Sequence, residues 1–199
     1  RKTFFWSNSR RQYSYNLRKY PLPLPGPSPR PRPFPLNSIH LSFSGCSWQL
    51  YFHIGAAKSF LSHYPYSDDV GNPLYSYTCS GSSCGSLIAF SIVDKIPLSE
   101  FTSFCFKMLS SVKSSNPLKP WGSMTSIIRT GMSELSTPGY AARCSSNLTL
   151  SLSKLDSLLP PVLTNTLETS WSTDSSLLNS LLSSCYIPLY YETSTSPYF

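Results

Sequence analysis

The readable part of the chain opens at Ile39-His40-Leu41-Ser42-Phe43-Ser44, where apolar and polar residues alternate with the period of a half-buried strand. Gly45-Cys46-Ser47 reads as a turn. After it Ile54, Ala57, Leu61 and Tyr64 recur at helical spacing within Leu50–Tyr64. Leu74-Tyr75-Ser76-Tyr77-Thr78-Cys79 predicts a second strand, and Leu87-Ile88-Ala89-Phe90-Ser91-Ile92-Val93 a buried helix close behind it. Pro97 suits the first turn of a further helix, with the stripe Leu98, Phe101, Phe104, Cys105, Met108 and Val112. Asn116-Pro117 and Lys119-Pro120 break that helix. Met124, Ile127, Ile128 and Leu135 predict another, closed by Pro138-Gly139. Leu148-Thr149-Leu150-Ser151-Leu152-Ser153 is the cleanest alternating strand. Ser172 or Thr173, with Asp174 behind, marks the start of a helix carrying Leu177, Leu178, Leu181 and Leu182. There is no internal repeat. Strands alternating with helices predict an α/β fold, a mostly parallel central sheet with helices on both faces.

Composition separates a tail from a domain. Eight prolines occupy every odd position from Pro21 to Pro35, a run that excludes helix and central strand and predicts extended polyproline II or disorder. No two of them are three apart, so the PxxP spacing of SH3 ligands is missing. Residues 1–36 carry 8 basic groups and no acid, whereas the other 163 residues carry 8 basic and 9 acidic groups. The net charge of +7 therefore belongs to the tail, and a nucleic-acid reading of the domain loses its ground. The tail reads as a plain extension or a gene-model artefact, with a basic arm touching anionic lipid as its functional alternative. A chain of 199 residues is long enough for one α/β domain and short for two, and residues 37–199 are expected to hold it.

The six cysteines, Cys46, Cys79, Cys84, Cys105, Cys144 and Cys185, follow no metal or disulfide spacing, so reduced thiols in an intracellular protein are expected. The sequon Asn147-Leu148-Thr149 is the counter-signal. No metal or cofactor is expected. No apolar run approaches the ~20 residues that span a bilayer, and no signal peptide is evident. The chain starts at Arg1, which suggests a fragment.

The strongest chemical motif is Gly81-Ser82-Ser83-Cys84-Gly85, Gly-x-Ser-x-Gly between a predicted strand and a predicted helix. That is the context of a nucleophile elbow, in which small flanking residues let the backbone bend and expose one hydroxyl. Ser83 is the candidate nucleophile, and a serine needs a base. The three histidines, His40, His53 and His63, all precede Ser83, which excludes a triad in the order Ser, acid, His. They read as a strand histidine, a helix-face histidine and a helix-end histidine. The acids after Ser83 are Asp94, Glu100, Glu134, Asp156, Glu168, Asp174 and Glu192, none followed by glycine. Asp94 reads as a solvated group, Asp156 as a turn residue and Asp174 as a first-turn helix acid.

Leu41-Ser42-Phe43-Ser44-Gly45-Cys46, followed by Tyr51, Gly55 and Leu61, resembles the opening of a patatin-like phospholipase domain, nearest the animal subgroup that includes adipose triglyceride lipase. Gly81–Gly85 falls where that family carries its nucleophile. Arg143–Leu152 resembles its later strand, and Ser183-Ser184-Cys185-Tyr186-Ile187-Pro188-Leu189-Tyr190 its Ser-x-x-Ile-Pro segment. The resemblance spans roughly residues 39–190, and makes 37–199 a partial domain, incomplete at its C-terminus. It implies a Ser-Asp dyad hydrolysing an acylglycerol or phospholipid ester, with Ser83 as nucleophile and Gly81, Ser82, Cys84 and Gly85 as elbow. Gly45, Cys46 and Ser47 would offer backbone N–H groups to the oxyanion. It also implies a cytoplasmic protein, peripheral on a lipid droplet or membrane, that responds to an activator protein. Two departures stand out. Ser47 and Leu50 replace the second and third glycines of the family's Gly-x-Gly-x-x-Gly loop, and no Asp-Gly motif occurs before Phe199, leaving half a dyad. The alternatives are a catalytically inactive relative that binds lipid droplets or a lipase partner, and a structural strand–helix turn in an unrelated α/β binding domain.

Overall fold

The computed structural model describes residues 38–66, 75–114, 124–158 and 161–187. Among these lie four strands, β1 (Ser38–Phe43), β2 (Ser76–Ser82), β3 (Leu148–Leu158) and β4 (Pro161–Glu168). Six helices accompany them: α1 (Leu50–His63), α2 (Cys84–Val93), α3 (Leu98–Ser114), α4 (Met124–Leu135), α5 (Tyr140–Cys144) and α6 (Asp174–Cys185). The sheet order is β1-β2-β3-β4; the first two pairings are parallel and the β3–β4 hairpin is antiparallel. This is the expected α/β class with a mostly parallel sheet. The tail over residues 1–36, the two proline breaks after Asn116, and Pro188, Leu189 and Tyr190 lie outside the described residues.

The period-two pattern sorts the sheet into two unlike faces. Ile39, Leu41 and Phe43 pair with Tyr77, Cys79 and Gly81, and the last two pair with Leu148 and Leu150. Gly81 apart, these side chains belong to or pack against one core cluster to which all six helices contribute. α2 is its centre, with every residue from Gly85 to Ile92 buried. The opposite face carries Ser38, His40, Ser42, Ser76, Thr78, Ser80, Ser82, Thr149, Ser151 and Ser153, and most of β1's share of it is exposed. The expectation of helices on both faces is thus corrected for the described residues: the helices gather on the apolar side. The serine-rich strands lack the second apolar set that a doubly covered sheet needs.

Several junctions are set by local chemistry. α2 ends in a Schellman motif, in which the Ile96 N–H reaches the Ser91 carbonyl and the Lys95 N–H the Ile92 carbonyl, with Lys95 at φ 58°. Asp94, at that helix end, is not the solvated group expected. Its side chain is 2 % exposed and accepts from Arg143 Nε at 2.8 Å. Arg143 also donates to the Pro138 and Thr137 carbonyls, so one guanidinium fastens α5 and the turn before it to α2. Asp174 is a first-turn acid of α6 as expected, and its carboxylate also accepts the N–H groups of Gly139 and Ala141 at the start of α5. Thr173 is the N-cap, in a reciprocal capping box with Ser176. Asp156 lies within β3 rather than in a turn. It accepts from Thr164 across the hairpin at 2.6 Å and pairs with Lys154, and the ladder shifts register between Leu155 and Ser157.

Candidate functional site

Ser83 stands at the junction of β2 and α2, with φ 53° and ψ −133°. A non-glycine residue there is strained by about 1–3 kcal/mol, a cost met only where surrounding contacts impose it. The two motif glycines are part of what imposes it. A Cβ on Gly81 would lie 2.5 Å from the Gly85 oxygen, and one on Gly85 would lie 2.4 Å from the Phe43 oxygen. The start of α2 therefore lies directly against β2 and the end of β1. The Ser83 carbonyl accepts from the Ser86 N–H at 2.8 Å and from Ser86 Oγ at 2.5 Å. The Ser83 N–H donates to Ser184 Oγ at 2.9 Å, and that hydroxyl donates in turn to the Ser151 carbonyl at 2.9 Å.

Ser184 was not among the expected site residues. It sits in the last turn of α6, and its hydroxyl joins the elbow, β3 and α6 through one oxygen. Ser184→Ala removes both hydrogen bonds from a half-buried position, at about 0.5–1.5 kcal/mol each. The expected result is a loss of about 1–3 kcal/mol in urea-induced unfolding, with Ser184→Thr recovering most of it. A Ser184→Ala chain as stable as the wild type would show that the contact contributes nothing.

The loop expected to meet the oxyanion does lie beside Ser83. A Cβ on Gly45 would come within 3.2 Å of Ser83 Cβ. Ser47 takes φ 50°, so the serine in the second glycine position adopts the left-handed conformation despite its cost. Cys46 before it has φ −144° and ψ 6°. Leu50, in the third glycine position, is 2 % exposed and belongs to the core as the first residue of α1. Cys84 follows Ser83 at the head of α2, where the leading N–H groups have no partner within the helix.

The histidines fall where the sequence put them. His40 bridges Thr78 Oγ1 (2.9 Å) and Ser80 Oγ (3.2 Å) on the hydroxyl face, and His63 Nδ1 donates to the Ser59 carbonyl in the last turn of α1. His53 does more than decorate its helix. Nε2 donates to the Ser44 carbonyl at 3.2 Å, and its ring meets Phe43 edge-on at 5.6 Å, bracing the loop beside the elbow. Among the described residues no carboxylate or imidazole hydrogen-bonds the Ser83 hydroxyl. Burial raises the Cys84 thiol above its ordinary range, as does the proximity of the Cys46 thiol, since two thiolates side by side would repel, and burial likewise raises Cys46. Both stay protonated at neutral pH, which leaves the serine as the motif's nucleophile candidate. All six cysteines are free. Among the described residues no three His, Cys, Asp or Glu side chains gather as metal ligands. A cleft of about 500 Å³ between α3 and α4 is lined by Glu100, Phe104, Lys107 and Glu134 and does not include Ser83. No protein-family model, curated protein or solved structure matches this chain.

Proposed function

We propose that the chain carries the serine centre of a lipid acyl hydrolase of patatin-like type, with Ser83 as nucleophile. The observation that supports this most is the backbone of Ser83: a non-glycine residue at φ 53° and ψ −133°, on a strand-to-helix turn that only glycine-sized neighbours permit. In the reaction, Ser83 Oγ bonds to the ester carbonyl carbon as its proton passes to a base, the role an aspartate fills in the resembling family. The alcohol then leaves with a proton, and water releases the fatty acid from Ser83. The Gly45–Ser47 loop and the head of α2 are the sources of N–H groups for the oxyanion. Phe52, 77 % exposed and with its ring 6.1 Å from that of His53, gives the neighbourhood of the loop an apolar side chain suited to a lipid ester. An acylglycerol or phospholipid is the substrate proposed, met at a droplet or membrane surface, with an activator protein as partner. Among the described residues no helix is long and apolar enough to cross a membrane.

The test is labelling with an alkyl fluorophosphonate, read by peptide mass spectrometry. Ser83 is expected to carry the label, and Ser83→Ala to lose it. A chain unlabelled at Ser83 under conditions that label a control lipase would overturn the proposal. That no carboxylate or imidazole among the described residues hydrogen-bonds the Ser83 hydroxyl favours a second reading, a non-catalytic relative that binds lipid droplets or a lipase partner. It predicts droplet flotation without labelling.

A further inference from the structure

The Ser44–Gly45 peptide unit is gripped at both ends. Its carbonyl accepts from His53 Nε2 at 3.2 Å, and its N–H donates to Ser82 Oγ at 3.0 Å. This same unit borders the nucleophile, since a Cβ on Gly45 would lie 3.2 Å from Ser83 Cβ. An amide N–H has one proton to give, and a proton held by a hydroxyl oxygen is withheld from an alkoxide forming beside it. Ser82 leaves β2 on the hydroxyl face of the sheet, so it reaches the loop independently of the Ser83 side chain.

We propose that the Ser82 hydroxyl plugs the oxyanion site by occupying the Gly45 N–H, and so sets how fast Ser83 reacts. The inference rests on Ser83 being the nucleophile. Turnover requires the adduct oxygen to displace Ser82 Oγ. A charged acceptor forms a hydrogen bond roughly twice as strong as a neutral one, so the exchange is possible but not free. His53 holds the far end of the peptide unit, which keeps the N–H from rotating toward another acceptor. Ser82 is thus a positioning residue acting through the Gly45 amide.

The experiment compares wild type, Ser82→Ala and Ser82→Thr in the full chain, with Ser83→Ala as the blank. One measurement is amide hydrogen exchange at Gly45 by NMR; the other is the rate of alkyl fluorophosphonate labelling. An oxyanion donor is worth about 10²–10³ in rate elsewhere, and freeing a partly withheld one is expected to speed labelling roughly tenfold. Ser82→Ala is also expected to speed exchange at Gly45, and Ser82→Thr, which keeps the acceptor oxygen, to retain slow exchange. A purely structural hydroxyl would give the opposite sign, slower labelling on removal. Labelling at Ser83 in the wild type with no acceleration in Ser82→Ala overturns the plug and leaves the nucleophile standing. Unchanged exchange at Gly45 in Ser82→Ala also overturns the plug. No label at Ser83 in either chain overturns the nucleophile, and the plug with it.

Discussion

Gly85→Ala is expected to yield little or no folded protein, while Gly55→Ala, in another glycine of the resembling segments, is expected to gain stability. The contrast follows from what each new methyl group meets. At Gly85 it would lie 2.4 Å from the Phe43 oxygen, 2.6 Å from the Ser44 oxygen and 2.7 Å from the Phe43 carbonyl carbon. All three are backbone atoms at the last residue of β1 and the one after it, so no rotamer change relieves the clash. α2 would have to withdraw from the sheet, carrying Leu87, Ile88, Phe90 and Ile92 out of the core. Losses above about 4 kcal/mol are confined to such events. For a chain of this size that is a fall of about 10 °C or more in melting temperature. Gly55 meets nothing within 4 Å on an exposed turn of α1, so alanine there adds up to about 1 kcal/mol of helix propensity. Thermal melts of the two variants beside wild type decide the matter. A Gly85→Ala chain melting with the wild type would refute the close packing of the elbow.

The second large effect is loss of stability at alkaline pH. Cys79, Cys105 and Cys144 are 0 % exposed, and burial above all pushes each thiol up to about 12. The charge of Cys84 adds to the effect at Cys105, and that of Asp94 at Cys144. In the unfolded chain these thiols titrate near ~8.5. Between that value and about 12 the unfolded state releases protons that the folded state keeps. Their contribution is therefore complete below about pH 8.5 and is lost as pH rises toward the folded values. Three such groups together remove about 4 kcal/mol per pH unit. Tyr77, raised to about 12 mainly by burial, acts in the same direction above its unfolded value. With a net stability of about 5–15 kcal/mol, unfolding is expected one to three pH units above the onset. Urea midpoints under reducing conditions across this range measure it, and Cys79→Ala is expected to lower the slope by about a third, the share of one thiol in three. Midpoints unchanged up to pH 11 would show that the thiols are not desolvated.

Most of the elements were legible because their apolar periods are clean. Leu41 and Phe43 alternate in β1, Leu148, Leu150 and Leu152 in β3, and Leu177, Leu178, Leu181 and Leu182 give α6 its buried side. β4 was not legible. Pro161 at its start reads as a breaker, and Leu163 and Leu167 look outward, so no buried side announces the strand. α5 is too short for a period to show, and is held by Asp174 and Arg143 rather than by propensity. At the site, the spacing of Gly81, Ser83 and Gly85 was enough to anticipate the turn, because the steric demand is local. The parts played by Ser82, His53 and Ser184 were not, since each depends on a partner brought near only by the fold. In a chain so rich in serine, no local feature marks the one hydroxyl that meets the Ser83 amide.

That amide and the Ser184 oxygen are separated by 101 positions in the chain. A ribosome adding about 5–20 residues per second needs on the order of 5–20 s to travel that distance. During this interval the turn at Ser83 exists as sequence but lacks the anchor that α6 brings. Until then the Ser83 amide has no Ser184 oxygen to donate to. The contact that ties the Ser83 turn to α6 is therefore among the last that a growing chain can form.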